Sequence, residues 1–125
     1  MTERILIVED NAMNMKLFRF LLVTAGFEVI EADDGESGME LAKMYIPDLV
    51  LMDIQMPKMD GLTALQNLRA DGSTRRIPVI ATTSYAMKGD RERFLTEGFT
   101  DYISKPIDND EFLKTVKTTL ERYHG

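Results

Sequence analysis

The chain has 125 residues, 44% hydrophobic and 29% charged, enough for one domain with a real core and too apolar for a disordered chain. Its net charge of -6 and pI near 4.8 argue against nucleic acid or an anionic membrane as a direct partner. The lack of cysteine removes disulfides and thiolate-held metals. No apolar run approaches the ~18 residues of a membrane span, and the start of the chain lacks a signal peptide's long apolar region. A small, acidic, cytoplasmic domain is expected.

The first apolar run, ILIVE at 5–9, predicts a strand. Leu17, Leu21, Leu22 and Ala25 then share one face of a helix. It stops at Gly26, a left-handed C-cap position, and Phe27 leads onward. FEVIEA at 27–32 is the second strand, and Leu41 and Met44 serve the core from the second helix. DLVLMD at 48–53 is apolar enough for a strand buried on both faces, yet it ends on the bare carboxylate of Asp53.

In the third helix the stripe is Leu62, Leu65 and Leu68, with Asp60 before Gly61 as its N-cap. PVIATT at 78–83 is the fourth strand, followed by a short helix with Phe94 and Leu95 inward and Gly98 as its C-cap. DYISK at 101–105 is the fifth strand. Asp108 and Glu111 form a capping-box pattern opening a last helix striped by Phe112, Leu113, Val116 and Leu120. Strands alternating with helices imply a doubly wound α/β domain, with a parallel sheet covered on both faces. One domain over residues 1–125 is expected, with no output domain, so that its output comes from its own surface.

In open α/β sheets ligands bind beyond the carboxyl ends of the strands. Those exits carry Glu9-Asp10, Asp53, Thr82-Thr83-Ser84 and Ser104-Lys105-Pro106. Three carboxylates on one rim repel one another unless a cation sits among them. Oxygen ligands of this kind favour Mg²⁺, with Mn²⁺ as an alternative. A lysine and a hydroxyl on the same rim supply the remaining needs of a phosphoryl group. Asp53 then serves as nucleophile, with Mg²⁺ and Lys105 stabilising the transition state. Singly, each residue has a plainer role: Asp10 as the N-cap of the first helix, Thr82 and Thr83 as β-formers, Lys105 as a surface charge. The joint pattern outweighs those readings, because unrelated surface residues would seldom fill four exits with these chemistries.

With LIVEDN (Glu9, Asp10), LMDIQMPKMDG (Asp53), ATTSYAM (Thr83) and YISKPI (Tyr102, Lys105, Pro106), the chain resembles a response-regulator receiver domain of two-component signalling over essentially its whole length. The resemblance implies the (βα)5 receiver or flavodoxin-like fold with strand order 2-1-3-4-5. It also implies that Asp53 accepts phosphoryl from the phosphohistidine of a histidine kinase or histidine phosphotransfer protein. Asp10, Asp53 and the backbone carbonyl of Gln55 would hold Mg²⁺, with Glu9 acting mostly through water. Lys105 would hold one phosphoryl oxygen, Thr83 would close on another, Tyr102 would turn inward, and the Lys105-Pro106 bond would be cis.

Ser84 departs from the family's usual small apolar residue, which leaves the switch hydroxyl open among Thr82, Thr83 and Ser84; Thr83 is taken. Gln55 and Tyr85, two positions after acceptor and switch, would flank the hydrolytic water and slow autodephosphorylation. Output would pass to downstream proteins through the fourth helix, fifth strand and fifth helix. NMKLF and AMKGDRERF are most like single-domain regulators of the DivK type, which act in cell division and polarity. They also resemble receivers fused to hybrid kinases.

Rival readings fit less well. The first strand-helix loop, VEDNAMN, is acidic and has no glycine, unlike a nucleotide-binding cradle. An Asp-based phosphatase would need a second Asp where Gln55 stands. DNDEFL has Leu113 where a calcium loop needs Gly. His124 is penultimate, a poor place for a phosphorelay histidine. The alternative that survives is a protein-binding module that keeps the fold without the phosphorylation.

Overall fold

A computed structural model of the chain describes residues 2–56, 59–84 and 89–124. The elements are β1 (Arg4–Val8), α1 (Ala12–Thr24), β2 (Glu28–Ala32), α2 (Gly35–Tyr45), β3 (Leu49–Asp53), α3 (Gly61–Ala70), β4 (Val79–Thr83), α4 (Asp90–Glu97), β5 (Asp101–Ser104) and α5 (Asn109–His124). All strand pairings are parallel, and the sheet order is β2-β1-β3-β4-β5, the architecture expected. Among the described residues, no helix is long and apolar enough to cross a membrane.

Alternation along the central strands divides the core into two layers. Ile5, Ile7, Leu49, Leu51, Ile80 and Ile103 face α1 and α5, where Phe18, Leu22, Phe112 and Val116 cover them. The rings of Phe18 and Phe112 stack at 5.2 Å. Leu6, Val8, Val50, Met52, Val79 and Ala81 face the other way, under Met39, Ala42, Leu65, Leu68 and Phe94. Every residue of β3 is buried, so its apolar run is explained by two-sided burial.

Helix phases differ in detail from the sequence reading. The buried stripe of α1 is Phe18, Leu21 and Leu22, while Leu17 is 37% exposed. In α2 the stripe is Gly35, Gly38, Met39 and Ala42, which turns Met44 to solvent. In α4 only Phe94 is buried; Leu95, about 100° further round the helix, is exposed.

Caps set the helix starts. Asn11, not Asp10, caps α1, its Oδ1 accepting from Asn14 N at 3.0 Å. Asp34 caps α2 and Asp60 caps α3. Asp108 Oδ1 accepts from the N–H groups of Asp110 and Glu111. Gly26 and Gly98 take φ of 99° and 112°. After each, a phenylalanine N–H donates back into the helix, Phe27 to Leu22 O and Phe99 to Phe94 O, both at 3.0 Å, as a Schellman ending requires.

Candidate functional site

Val8 pairs with Met52 across β1 and β3, so both strands run out at the same level. Glu9 has just left its strand, its N–H still donating to Ala32 O at 3.0 Å, and Asp53 is the last residue of β3. Glu9, Asp10 and Asp53 each offer a carboxylate oxygen, all within 4.8 Å of one another. Asp10 is exposed; Glu9 and Asp53 are each only 2% exposed. Because Asn11 takes over the helix cap, the Asp10 carboxylate is spared for this rim.

Lys105 reaches the cluster from beyond β5, where its N–H donates to Thr83 O at 2.7 Å and its bond to Pro106 is cis. Its Nζ lies 2.8 Å from Glu9 Oε1 and 3.5 Å from Asp53 Oδ2. Glu9 Oε2 accepts from Asn11 N at 3.1 Å, and Asp53 Oδ1 accepts from Gln55 N at 2.9 Å. One ammonium thus faces two buried carboxylates, with a third at the edge.

Burial pushes the Glu9 carboxyl up to about 7, opposed by its bond to Lys105 and assisted by nearby Asp53. The Lys105 contact to Glu9 Oε1 is an ion pair outside regular hydrogen-bond geometry, and that oxygen is buried with no other donor. A buried, acidic, oxygen-only donor set with such an atom fits a hard divalent cation.

Thr82 pairs with Asp53 across β3 and β4, and Ile54 N donates to its carbonyl at 3.2 Å. Thr82 and Thr83 are buried, while Ser84 is exposed. Tyr102 is half-buried, packed on the α2–α4 layer with its ring 5.5 Å from that of Phe94. Glu9, Asp10, Asp53, Gln55 and Lys105 therefore form one cluster, with Thr83 joined to it through the Lys105 backbone. Tyr85 and the His124 side chain lie outside the described residues.

Two features escaped the sequence reading. A Cβ at Gly61 would lie 2.6 Å from Ile54 Cα and 2.9 Å from Asp53 O, so glycine lets α3 close directly onto the loop that follows Asp53. The Asp-Gly pair was legible only as a cap. The Gln55 side chain accepts from Ser84 N at 2.9 Å, a bond across 29 residues that no local pattern marks.

Residues 5–117 match the response regulator receiver domain family. A curated relative, the polar-differentiation response regulator DivK of Brucella ovis, is 48% identical over 120 residues, covering 96% of this chain and 98% of the relative. The receiver domain of a sensor histidine kinase from Pseudomonas aeruginosa superposes with a TM-score of 0.84 at 35% identity, covering 98% of both chains; its structure has a magnesium ion in the active-site cleft. The chemotaxis protein CheY4 of Vibrio cholerae, at 24% identity, shares the fold with a TM-score of 0.87, covering 94% of this chain and 98% of its own.

Proposed function

The chain belongs to the response regulator receiver domain family of two-component signalling, and from that premise we propose that Asp53 is its phosphoryl acceptor. The observation that carries the proposal is the Lys105 ammonium 3.5 Å from Asp53 Oδ2, inside a rim of converging carboxylates. An Asp53 oxygen attacks the phosphorus of a phosphohistidine on a histidine kinase or histidine phosphotransfer protein. The P–N bond breaks, its electron pair stays on the imidazole, and an acyl phosphate forms.

Lys105 pairs with one phosphoryl oxygen and the Thr83 hydroxyl donates to another. Asp10, Asp53 and the Gln55 carbonyl would hold Mg²⁺, or Mn²⁺, with Glu9 behind them, and a divalent ion held there would supply neutralisation of the charge on the transferring oxygens. The Brucella relative's name supports a role in cell division or polarity. The chain spans 98% of that relative's length, which supports reading residues 1–125 as one receiver unit. It signals to downstream proteins by remodelling the α4-β5-α5 face as Tyr102 turns inward. Acyl-phosphate loss is slow, because Gln55 carries no charge to act as a base.

The test is incubation with a small-molecule phosphodonor and Mg²⁺. Wild-type protein is expected to gain an acid-stable, hydroxylamine-labile phosphate, and Asp53→Asn to gain none. Equal labelling of the variant would move the acceptor elsewhere. No labelling of the wild type would leave a binding module that keeps only the fold.

A further inference from the structure

The two residues after Glu9 divide two tasks between them. Asn11 has extended backbone, with φ -86° and ψ 118°, and its Oδ1 accepts from Asn14 N at 3.0 Å, so it caps α1. Its own N–H donates to Glu9 Oε2 at 3.1 Å. Asp10, directly before it, stays outside the helix and offers its carboxylate to the rim beside Glu9 and Asp53. By residue type, either one caps well. The start of α1 favours the charged one, because its first turn holds no acidic side chain to meet the positive end of the helix dipole. Repulsion from Glu9 and Asp53 pushes the Asp10 carboxylate the same way. Asn11, by occupying the cap, opposes both.

We propose that Asn11 is a positioning residue for the metal site: by capping α1 itself, it keeps the Asp10 carboxylate out of the helix start and so sets the rim's affinity for Mg²⁺. This rests on Asp10 being a metal ligand. Without the Asn11 side chain, α1 gains by starting one residue earlier, with Asp10 accepting from an N–H of the first turn. The carboxylate then leaves the rim, and the N–H of residue 11 turns away from Glu9 as that residue becomes helical. A divalent cation would have to draw Asp10 back and leave the helix uncapped. The apparent affinity falls with the population of the binding-competent arrangement, and one typical cap corresponds to about fivefold.

Two variants separate this role from plain support of the helix. Asn11→Ala removes the cap, whereas Asn11→Ser keeps one, since serine caps about as well as asparagine. The first readout is the Mg²⁺ Kd of the full-length, unphosphorylated protein, from an amide NMR titration. It is expected about fivefold higher in Asn11→Ala and at the wild-type value in Asn11→Ser.

The second readout is urea unfolding of the metal-free protein, with Asp10→Ala added to each background. In the wild-type background Asp10→Ala is expected to cost no stability. In the Asn11→Ala background it removes the substitute cap, and the unfolding equilibrium constant is expected to rise about fivefold. A residue that only supported α1 would lower stability in Asn11→Ala and leave the Kd where it was. Asp10→Ala would then be equally harmless in both backgrounds. Either result overturns the positioning role. A wild type that binds no Mg²⁺, or whose Kd is unmoved by Asp10→Ala, overturns the metal reading of Asp10, and the positioning role falls with it.

Discussion

Where the strands begin, Arg69 donates to the carbonyls of Arg75, Ile77 and Gly98 at 3.0, 2.7 and 3.1 Å. Nearby, Thr74 Oγ1 donates to Leu68 O at 2.7 Å, Val79 N to Thr100 Oγ1 at 3.0 Å, and Arg4 N to Asp48 Oδ2 at 2.7 Å. Where the strands end, two buried carboxylates share one ammonium, and a Glu9 oxygen lacks a regular donor. The first end spends its polar groups on each other. The second holds like charges together in a poorly solvated place, which is unfavourable until a cation arrives. Stability and the proposed chemistry are thus drawn from opposite ends of one sheet.

The largest expected effect falls at the end where the strands begin. Burial holds the Arg69 guanidinium below its usual range, with the Tyr123 charge opposing, yet three carbonyls satisfy it in place of a carboxylate. Arg69→Met keeps much of the apolar stem and strands those acceptors. It is expected to cost about 2–4 kcal/mol in urea unfolding, while phosphate incorporation by the folded protein stays at the wild-type level. A loss under about 0.5 kcal/mol would mean that water replaces the guanidinium and that this end is not the stabilising one.

At the rim the expected pH dependence has an unusual sign. Glu9 keeps its proton in the folded chain up to about 7, whereas its ordinary value is 4.5. Between those values the folded state binds more protons than the unfolded one. Stability of the metal-free protein therefore falls as pH rises from 4.5 to about 7, by a few kcal/mol, and the slope ends above that window. Glu9→Gln should flatten it. A metal-free wild type that gains stability across the window would show that Lys105 outweighs burial.

A smaller effect of the same kind attends Asp53. Without metal, Asp53→Asn leaves Lys105 with Glu9 as a one-to-one pair at 2.8 Å, and the amide oxygen still accepts from Gln55 N. The variant is expected to be more stable than wild type by about 1 kcal/mol. Millimolar Mg²⁺ should raise the melting temperature of the wild type only. A destabilised Asp53→Asn would make the carboxylate a structural partner of Lys105 instead of a source of repulsion.

This division was only half legible in the sequence. Apolar runs fix where strands stop, and so they exposed Glu9, Asp53 and Lys105 as residues at strand exits. The helix phases were harder, because Phe18 and Leu17 are both apolar and only the sheet decides which faces inward. Asn11 and Asp10 are equally good caps by type; the choice depends on how the chain leaves β1. Arg69 gave no signal at all, since its partners are backbone carbonyls that every residue carries. The Gln55–Ser84 bond depends on the β3–β4 register, which sequence spacing does not reveal.

The smallest effect tests whether the two ends are independent. Among the described residues Ile46 is the one non-glycine with positive φ, at 44°. A β-branched side chain there is strained by about 1–2 kcal/mol. It arises because α2 ends in a left-handed turn, with Ile46 N donating to Ala42 O at 2.9 Å, and Pro47 follows, which disfavours a further helical residue. Asparagine tolerates this conformation, but Ile46 is about half exposed, so its replacement also gives up some buried apolar surface. Ile46→Asn is therefore expected to gain less than about 1 kcal/mol, read as a rise of a few degrees in Tm. Unlike the repulsion at the rim, this strain lies in the backbone, where no cation or phosphoryl group can relieve it. The rate of phosphate incorporation should stay unchanged. If that rate moved with Ile46→Asn, the turn before β3 would be coupled to the carboxylate at its far end, and the separation of stability from chemistry along the sheet would fail.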